Sequence, residues 1–286
     1  MPEPRRYVLT LSCPDRTGIV ARISGFLADL DAWITEAAYH SDPVSGRFFT
    51  RQEIRCTLPT EELTAAFAAV ADELVADAWR VTDDAAPKRV VVLVSREGHC
   101  LYELLSRWHA GDLGAEITMV IGNHEDLAAV ATMFGLPFRH LPVPADAHGR
   151  AAAFAELVDL VDAQRPDAIV LARFMQVIPP TLCERWAGRL INIHHGFLPS
   201  FRGARPYHQA YDRGVKIIGA TCHYVTAELD DGPIIDQDVI RIDHADSAAE
   251  LVRKGRHIEK AVLARGLDLH LADRVFLDGR RTVVFD

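Results

Sequence analysis

Three side chains suited to acyl chemistry stand in two short motifs of this chain of 286 residues. Asn192 and His194 lie two residues apart at the end of an apolar run, so both leave one face of a predicted strand, while His195 points to the other. Asp230 lies in the turn-forming segment 228–233. An amide and an imidazole can stabilise the oxyanion that forms when water attacks a formamide, and a carboxylate can remove the proton from that water. The motifs therefore predict a site that moves a one-carbon acyl group.

Each of these residues also has a structural interpretation. Asn192 and His194 could cap hydrogen bonds at a strand end, and Asp230 could be a solvated turn residue, as we predict for Asp231. A zinc site is the alternative raised by four histidines: His194, His195, His208 and His223. Adjacent strand residues point to opposite faces and no common metal-ligand spacing occurs, so we predict no metal. His223 alternates with Thr221 and Val225 on the strand that leads to Asp230. It is therefore either a structural residue or a supporting residue that lines the site.

The wider motifs resemble a known superfamily. An Asn-x-His strand end followed by LPSFRG at 198–203, with LDDGP at 229–233, resembles the folate-dependent formyltransferase superfamily. Within it, HGFLPSFRGARPYHQ at 195–209 and CHYV at 222–225 are most similar to the formyltetrahydrofolate deformylase family. The resemblance covers the whole chain. It implies hydrolysis of 10-formyltetrahydrofolate to tetrahydrofolate and formate, which would supply one-carbon and purine metabolism.

The same resemblance assigns roles to residues. It implies Asn192, His194 and Asp230 as the catalytic trio, with water as the acceptor and no cofactor besides the folate substrate. It also implies two folate-binding segments, which are Met175, Gln176, Val177 and Ile178, and Thr226, Ala227, Glu228 and Leu229. The sequence departs from the family pattern at two positions, because relatives usually carry a basic residue at Gln176 and a serine at Gly196.

Composition narrows the class of protein. The length favours two domains, and a net charge of −9 without a basic block argues against nucleic-acid binding, including a tRNA substrate. No apolar run approaches the roughly 20 residues of a membrane helix, and the N-terminus lacks a signal-peptide pattern. Five scattered cysteines without a CxxC motif suit reduced thiols. We therefore expect a cytoplasmic protein with no membrane partner.

A polar linker at 82–88 separates two patterns. Residues 1–85 predict β-α-β-β-α-β, with strands at 7–13, 34–40, 47–58 and 78–81 and helices at 17–29 and 61–76, which is the ferredoxin-like plan. Residues 88–286 predict a doubly wound, mostly parallel α/β catalytic domain. Its predicted strands are 89–95, 116–121, 168–172 and 190–193, and its predicted helices are 100–108, 126–134 and 151–164.

The segment after the first strand, CPDRTGIV at 13–20, resembles an ACT domain. That resemblance implies an amino-acid effector, methionine or glycine, bound by Asp15, Arg16, Thr17 and Gly18. Asp15 could alternatively cap the following helix. The open edges of such a small sheet favour pairing with a second copy, so we expect a homo-oligomer, a dimer or a tetramer.

Two other functions stay open. Phosphoribosylglycinamide formyltransferases use a Gly-Ser-Asn loop to hold the substrate phosphate, whereas this chain has SREGHCL at 95–101. One glycine and the acidic Glu97 make a poor phosphate site, although Arg96 supports that alternative. An amino-acid-sensing ACT protein without catalysis is the alternative of another class, and the complete Asn-His-Asp set argues against it.

Overall fold

The computed structural model describes residues 3–200 and 206–285. Contacts divide the chain into two units. The first runs to Pro87 and includes Asp273–Asp278 and the residues from Val283 on, and the second comprises Lys88–Ala272 with Gly279–Thr282. Over the described ranges, no helix is both long enough and apolar enough to cross a membrane.

The predicted division placed 88–286 in one domain, whereas some residues near the C-terminus group with the first unit. Phe276 packs edge-on against Phe49 of the first unit, with ring centroids 5.8 Å apart. Asp273 pairs with Arg80, with Nη1 and Oδ1 3.4 Å apart. These contacts group the end of the chain with the first unit.

The first unit is a four-stranded antiparallel sheet with two helices. Its elements are β1 (Arg5–Pro14), α1 (Ile19–Asp29), β2 (Trp33–Asp42), β3 (Arg47–Cys56), α2 (Thr60–Glu73) and β4 (Ala78–Asp83). The strand order is β2-β3-β1-β4, and this is the β-α-β-β-α-β arrangement that the sequence predicts. Apolar side chains of α1 and α2, such as Leu27 and Phe67, pack with those of the sheet into one core.

Asp15 does not cap α1, so that alternative was wrong. The N-cap position is held by Gly18, with a φ of 96° and no side-chain hydrogen bond to the helix. The Asp15 carboxylate instead accepts a hydrogen bond from the Ser41 hydroxyl. A left-handed φ is readily adopted only by glycine, so Gly18 itself turns the chain into the helix.

The second unit is built on a seven-stranded sheet in the order β11-β10-β9-β8-β5-β6-β7. Its strands are β5 (Lys88–Val94), β6 (Ala115–Gly122), β7 (Phe138–His140), β8 (Ala168–Ala172), β9 (Leu190–His194), β10 (Ile217–Tyr224) and β11 (Ile234–Arg241). From β9 to β7 the neighbours are parallel, whereas β10 is antiparallel to both β9 and β11. The predicted mostly parallel sheet is confirmed. Strand β5 is buried from Val90 to Val94, as expected between two helical layers.

Six helices accompany this sheet in the described residues. They are α3 (His99–Ala110), α4 (Ala128–Met133), α5 (Ala147–Gln164), α6 (Pro180–Arg185), α7 (Pro206–Asp212) and α8 (Ala248–Leu271). The 24-residue α8 is not among the predicted helices, and it starts with a capping box formed by Ser247 and Glu250. It lies close to β10, because a β-carbon at Gly266 would stand 2.5 Å from the Cys222 sulfur. The chain ends in the hairpin of β12 (Val275–Asp278) and β13 (Arg281–Val284).

Candidate active site

The site lies where β8 and β9 end. These strands are parallel neighbours, so the residues that follow them emerge at the same edge of the sheet. Strand β10 runs antiparallel to β9 and places Thr221 opposite His194 and His223 opposite Asn192. The chain then turns before β11, and this turn carries Asp230.

The structure brings the three predicted catalytic residues together. His194 Nδ1 lies 3.3 Å from Asp230 Oδ1, and their side chains are only 3% and 10% exposed. Asn192 lies two residues before His194 and lines the same cavity as both partners. A buried carboxylate beside an imidazole orients the ring.

His223 orients the Asn192 amide. Its Nδ1 lies 2.8 Å from the Tyr224 carbonyl oxygen, which can only accept, so Nδ1 carries the hydrogen. Burial lowers the pKa of His223 and favours the neutral ring. The bare Nε2 then accepts from Asn192 Nδ2 at 3.2 Å. His223 thus lines the cavity and contacts Asn192, which favours the supporting role over the purely structural one.

All the residues of both predicted folate-binding segments line this cavity with the trio. Met175, Val177 and Leu229 present apolar side chains that are more than half exposed, which suits contact with a flat heteroaromatic ring. The first segment is anchored through its backbone, because Met175 N donates to the Ser95 hydroxyl at 2.9 Å. That hydroxyl in turn donates to Asn123 Oδ1 at 2.6 Å.

A second anchor holds the loop after His195. The fully buried Thr221 hydroxyl donates to the Gly196 carbonyl at 2.9 Å and accepts from Leu198 N at 3.0 Å. A β-carbon at Gly196 would lie 3.0 Å from His194 Nε2, so this glycine leaves room beside the imidazole. The part of the predicted loop motif at 201–203 lies outside the described residues.

The turn that carries Asp230 is tightly constrained. Asp230 has a φ of 52°, and a β-carbon at Gly232 would lie 1.8 Å from the Tyr224 carbonyl oxygen, so only glycine fits there. Asp231 was predicted to be solvated, and this was wrong. Its side chain is 13% exposed and pairs with Arg280, because the C-terminal hairpin brings that arginine to the turn.

A buried cluster of residues that were not predicted as site residues adjoins the trio. Glu259 of α8 is 1% exposed and accepts hydrogen bonds from the Tyr207 hydroxyl at 2.7 Å and from His99 Nε2 at 2.8 Å. Burial acts to raise the pKa of Glu259, but the hydrogen bond from His99 and the charge of Arg173 lower it to about 2. Burial, followed by the charge of Arg173, lowers the pKa of His195 to about 3. Without α8 in the predicted elements, no sequence signal pointed to this carboxylate.

Among the described residues, the group that could offer metal ligands is His99, Cys100 and Glu259. Burial raises the pKa of the Cys100 thiol well above its usual range, and a protonated thiol is a poor ligand. His99 already uses Nε2 to bind Glu259. These contacts favour a hydrogen-bonded cluster.

The fold and the site define a class of protein. Residues 88–267 match the sequence profile of the formyl transferase family, to which this chain belongs. It is 46% identical to formyltetrahydrofolate deformylase of Bacillus subtilis over 282 residues, which cover 97% of this chain and 93% of that protein. Likeness at this level over nearly the full length places the chain among the formyltetrahydrofolate deformylases.

Solved structures agree with this placement. A formyltetrahydrofolate deformylase from Pseudomonas syringae pv. tomato superposes with a TM-score of 0.96 at 53% identity, covering 99% of this chain and 95% of that one. Glycinamide ribonucleotide transformylase 1 from Symbiobacterium toebii has a TM-score of 0.66 at 29% identity and covers 70% of this chain and 95% of that one. The deformylase therefore shares nearly the whole chain, and the transformylase shares a smaller part of it.

Proposed function

We propose that this protein hydrolyses 10-formyltetrahydrofolate to tetrahydrofolate and formate. The observation that carries the proposal is one cavity that is lined by Asn192, His194 and Asp230 together with both predicted folate-binding segments. The near full-length likeness to formyltetrahydrofolate deformylases supports the same reaction. The formate released would feed one-carbon and purine metabolism.

In the first step, water attacks the formyl carbon. The Asp230 carboxylate accepts a proton from this water as its oxygen bonds to carbon, and the carbonyl electrons move to oxygen. Asn192 and His194 donate hydrogen bonds to the resulting oxyanion. Donors of this kind contribute on the order of 10² to 10³ in rate. Because His223 fixes the amide nitrogen of Asn192, little reorganisation is needed during the step.

In the second step, the tetrahedral intermediate collapses. The carbonyl re-forms, the bond between carbon and N10 breaks, and N10 takes up the proton that Asp230 received. The products are tetrahydrofolate and formic acid, which loses its proton to give formate. Asp230 therefore serves first as a base and then as an acid, and it is regenerated in each turnover.

Formyl transfer to glycinamide ribonucleotide is the second candidate, and the segment before α3 disfavours it. A phosphate would have to approach the negatively charged Glu97. The nearby Arg256 is already paired with that carboxylate, since its Nη2 lies 2.7 Å from Glu97 Oε2. A β-carbon at Gly98 would stand 2.9 Å from Leu127, so this glycine serves packing. Water needs no such binding site.

The test is to incubate the protein with 10-formyltetrahydrofolate, with and without glycinamide ribonucleotide, and to measure free formate. We expect formate in both reactions at similar rates. If formyl transfer to the amine outpaces formate release, the protein is a transferase.

We also propose that the first unit is an ACT domain that regulates the enzyme and assembles it into a dimer or tetramer. Its β-α-β-β-α-β order and the loop Asp15, Arg16, Thr17 and Gly18 before α1 support this assignment. Backbone N–H groups at the start of α1 suit the carboxylate of an amino-acid effector, methionine or glycine.

A further inference from the structure

A second cavity in the second unit adjoins the cleft, which is the cavity lined by Asn192, His194 and Asp230. The two share Arg173, Met175 and His195 among their lining residues. From there the second cavity extends past the buried Tyr207 to Arg256, whose side chain is 48% exposed. It therefore leads from the reacting centre toward solvent, and of the described residues that line it Met175 alone belongs to the predicted folate-binding segments.

Arg173 has hydrogen-bond donors without acceptors in this region. Its side chain is 13% exposed, and its Nε and Nη1 atoms are buried with no hydrogen-bond partner in the part of the chain that the structure describes. Glu259 Oε2, 3.4 Å from Nε, balances the charge without forming a hydrogen bond. Buried donors left unsatisfied are costly, so a ligand that accepts hydrogen bonds is favoured here.

Glu259 does not compete for these donors, because its oxygens accept from Tyr207 and His99. The reaction produces formate beside this point. A carboxylate forms charge-assisted hydrogen bonds with a guanidinium that are stronger than those of a neutral acceptor. Val177 and Leu229, which line the first cavity but not the second, are apolar and offer an anion little stabilisation.

We propose that this second cavity is a binding site for the product formate, in which Arg173 donates to the carboxylate, and that formate leaves through it while tetrahydrofolate still occupies the cleft. This inference rests on the proposed hydrolysis, which supplies the formate. A hydrogen bond to a charged group is worth a change of about tenfold or more in affinity, so the loss of Arg173 should be measurable.

The experiment is a titration of ¹³C-formate into the full chain, followed by NMR line broadening, with and without saturating tetrahydrofolate. We expect formate to bind in both cases and formamide, its neutral analogue, not to displace it. Arg173→Met should weaken formate binding by about tenfold or more. Arg253→Met is the matched control, because Arg253 lines a different cavity beside α8 and should leave formate binding unchanged.

Displacement of formate by tetrahydrofolate in the wild-type protein would overturn the proposal, as would equal formate affinity in Arg173→Met. Arg173→Met removes the cation near Glu259 and could fail to fold. In that case Arg173→Lys, which retains the charge, should bind formate with intermediate affinity. Wild-type affinity in Arg173→Lys would contradict donation by the guanidinium. Formate titration needs no turnover. Failure of formate release from 10-formyltetrahydrofolate would therefore contradict the proposed hydrolysis, and failure of the titration would contradict only the formate site.

Discussion

At the residue scale, Asp230 and Asp231 show how neighbouring carboxylates take different roles. Asp230 faces the cleft and His194, and its positive φ fixes the direction of its side chain. Asp231 is turned toward Arg280. Asp230 is therefore assigned to catalysis and Asp231 to anchoring of the turn, so substitution of each residue should have a different effect.

Asp230→Asn preserves the shape of the side chain but removes the base. We expect kcat to fall by about two to four orders of magnitude, with little change in folate affinity. Asp231→Asn should change kcat only slightly and should reduce the free energy of unfolding by about 0 to 1 kcal/mol through its ion pair. Steady-state kinetics and urea unfolding of both variants make the comparison. A larger loss of kcat in Asp231→Asn would reassign the catalytic carboxylate.

His223 should act through Asn192. His223→Phe removes the acceptor for the amide, so we expect a fall in kcat, with KM little changed, that is smaller than the loss of about 10² to 10³ for Asn192→Ala. His223→Gln retains an acceptor and should recover part of the activity. A purely structural role would instead lower the thermal stability of both His223 variants without separating kcat from KM.

His195 should make the stability depend on pH. Its pKa of about 3 lies below its ordinary value of 6.5, so below about pH 6.5 the unfolded chain binds a proton that the folded chain does not. The free energy of unfolding should then decrease by up to about 1.4 kcal/mol for each pH unit as the pH falls toward 3. Urea titrations of wild type and His195→Gln between pH 7 and pH 5 check this. An equal slope in both proteins would show that His195 is not the group responsible.

At the element scale, α8 packs against a strand that carries site residues. It packs closely on β10, the strand that carries Thr221 and His223, and it supplies Glu259. The close approach depends on Gly266, where a β-carbon would meet the Cys222 sulfur. The position of β10 therefore depends on a small residue in the middle of a long helix.

Gly266→Val should force α8 away from β10. We expect the free energy of unfolding to fall by about 1 to 3 kcal/mol, as for other overpacked cores, and kcat to fall with it because His223 moves. Gly25→Ala in α1 is the control, since a β-carbon there meets nothing within 4 Å. It should stabilise by about 0.5 to 1 kcal/mol through helix propensity. A neutral Gly266→Val would show that the two elements can separate without cost.

At the scale of the whole molecule, the chain contributes to its first unit from both ends. Asp273–Asp278 and the residues from Val283 on join the N-terminal β-α-β-β-α-β unit, so a protein that simply begins at Lys88 would leave Phe276 without Phe49. Regulation is therefore best tested on the full chain.

Titration of the twenty amino acids against formate release by the full chain should reveal one that changes the activity curve, with methionine and glycine the leading candidates. Binding of that amino acid should change the affinity for folate, and folate should change the affinity for the amino acid by the same factor. The reason is that an effector acts only through its different affinity for two states. Sedimentation should show a dimer or tetramer. Absence of any response among the twenty would contradict the regulatory role of the first unit.

The sequence by itself determined the features that depend on local geometry. The spacing of Asn192 and His194 places both on one face because strand side chains alternate. Buried apolar runs predicted the parallel strands, and the periodicity of residues 1–85 predicted the order of strands and helices in the first unit. These patterns arise within a few residues, so one chain segment suffices to reveal them.

The tertiary structure decided the rest. His99 and Glu259 are separated by 160 residues and Asn192 and His223 by 31, so no local pattern joins either pair. The anchoring of Asp231 depends on Arg280 from the C-terminal hairpin, and the unsatisfied donors of Arg173 depend on the burial created by α8 and its neighbours. Burial, hydrogen bonding and pKa are set by the groups that packing brings together. For that reason the trio is visible in the sequence, while the partners that orient it and the second cavity appear only in the fold.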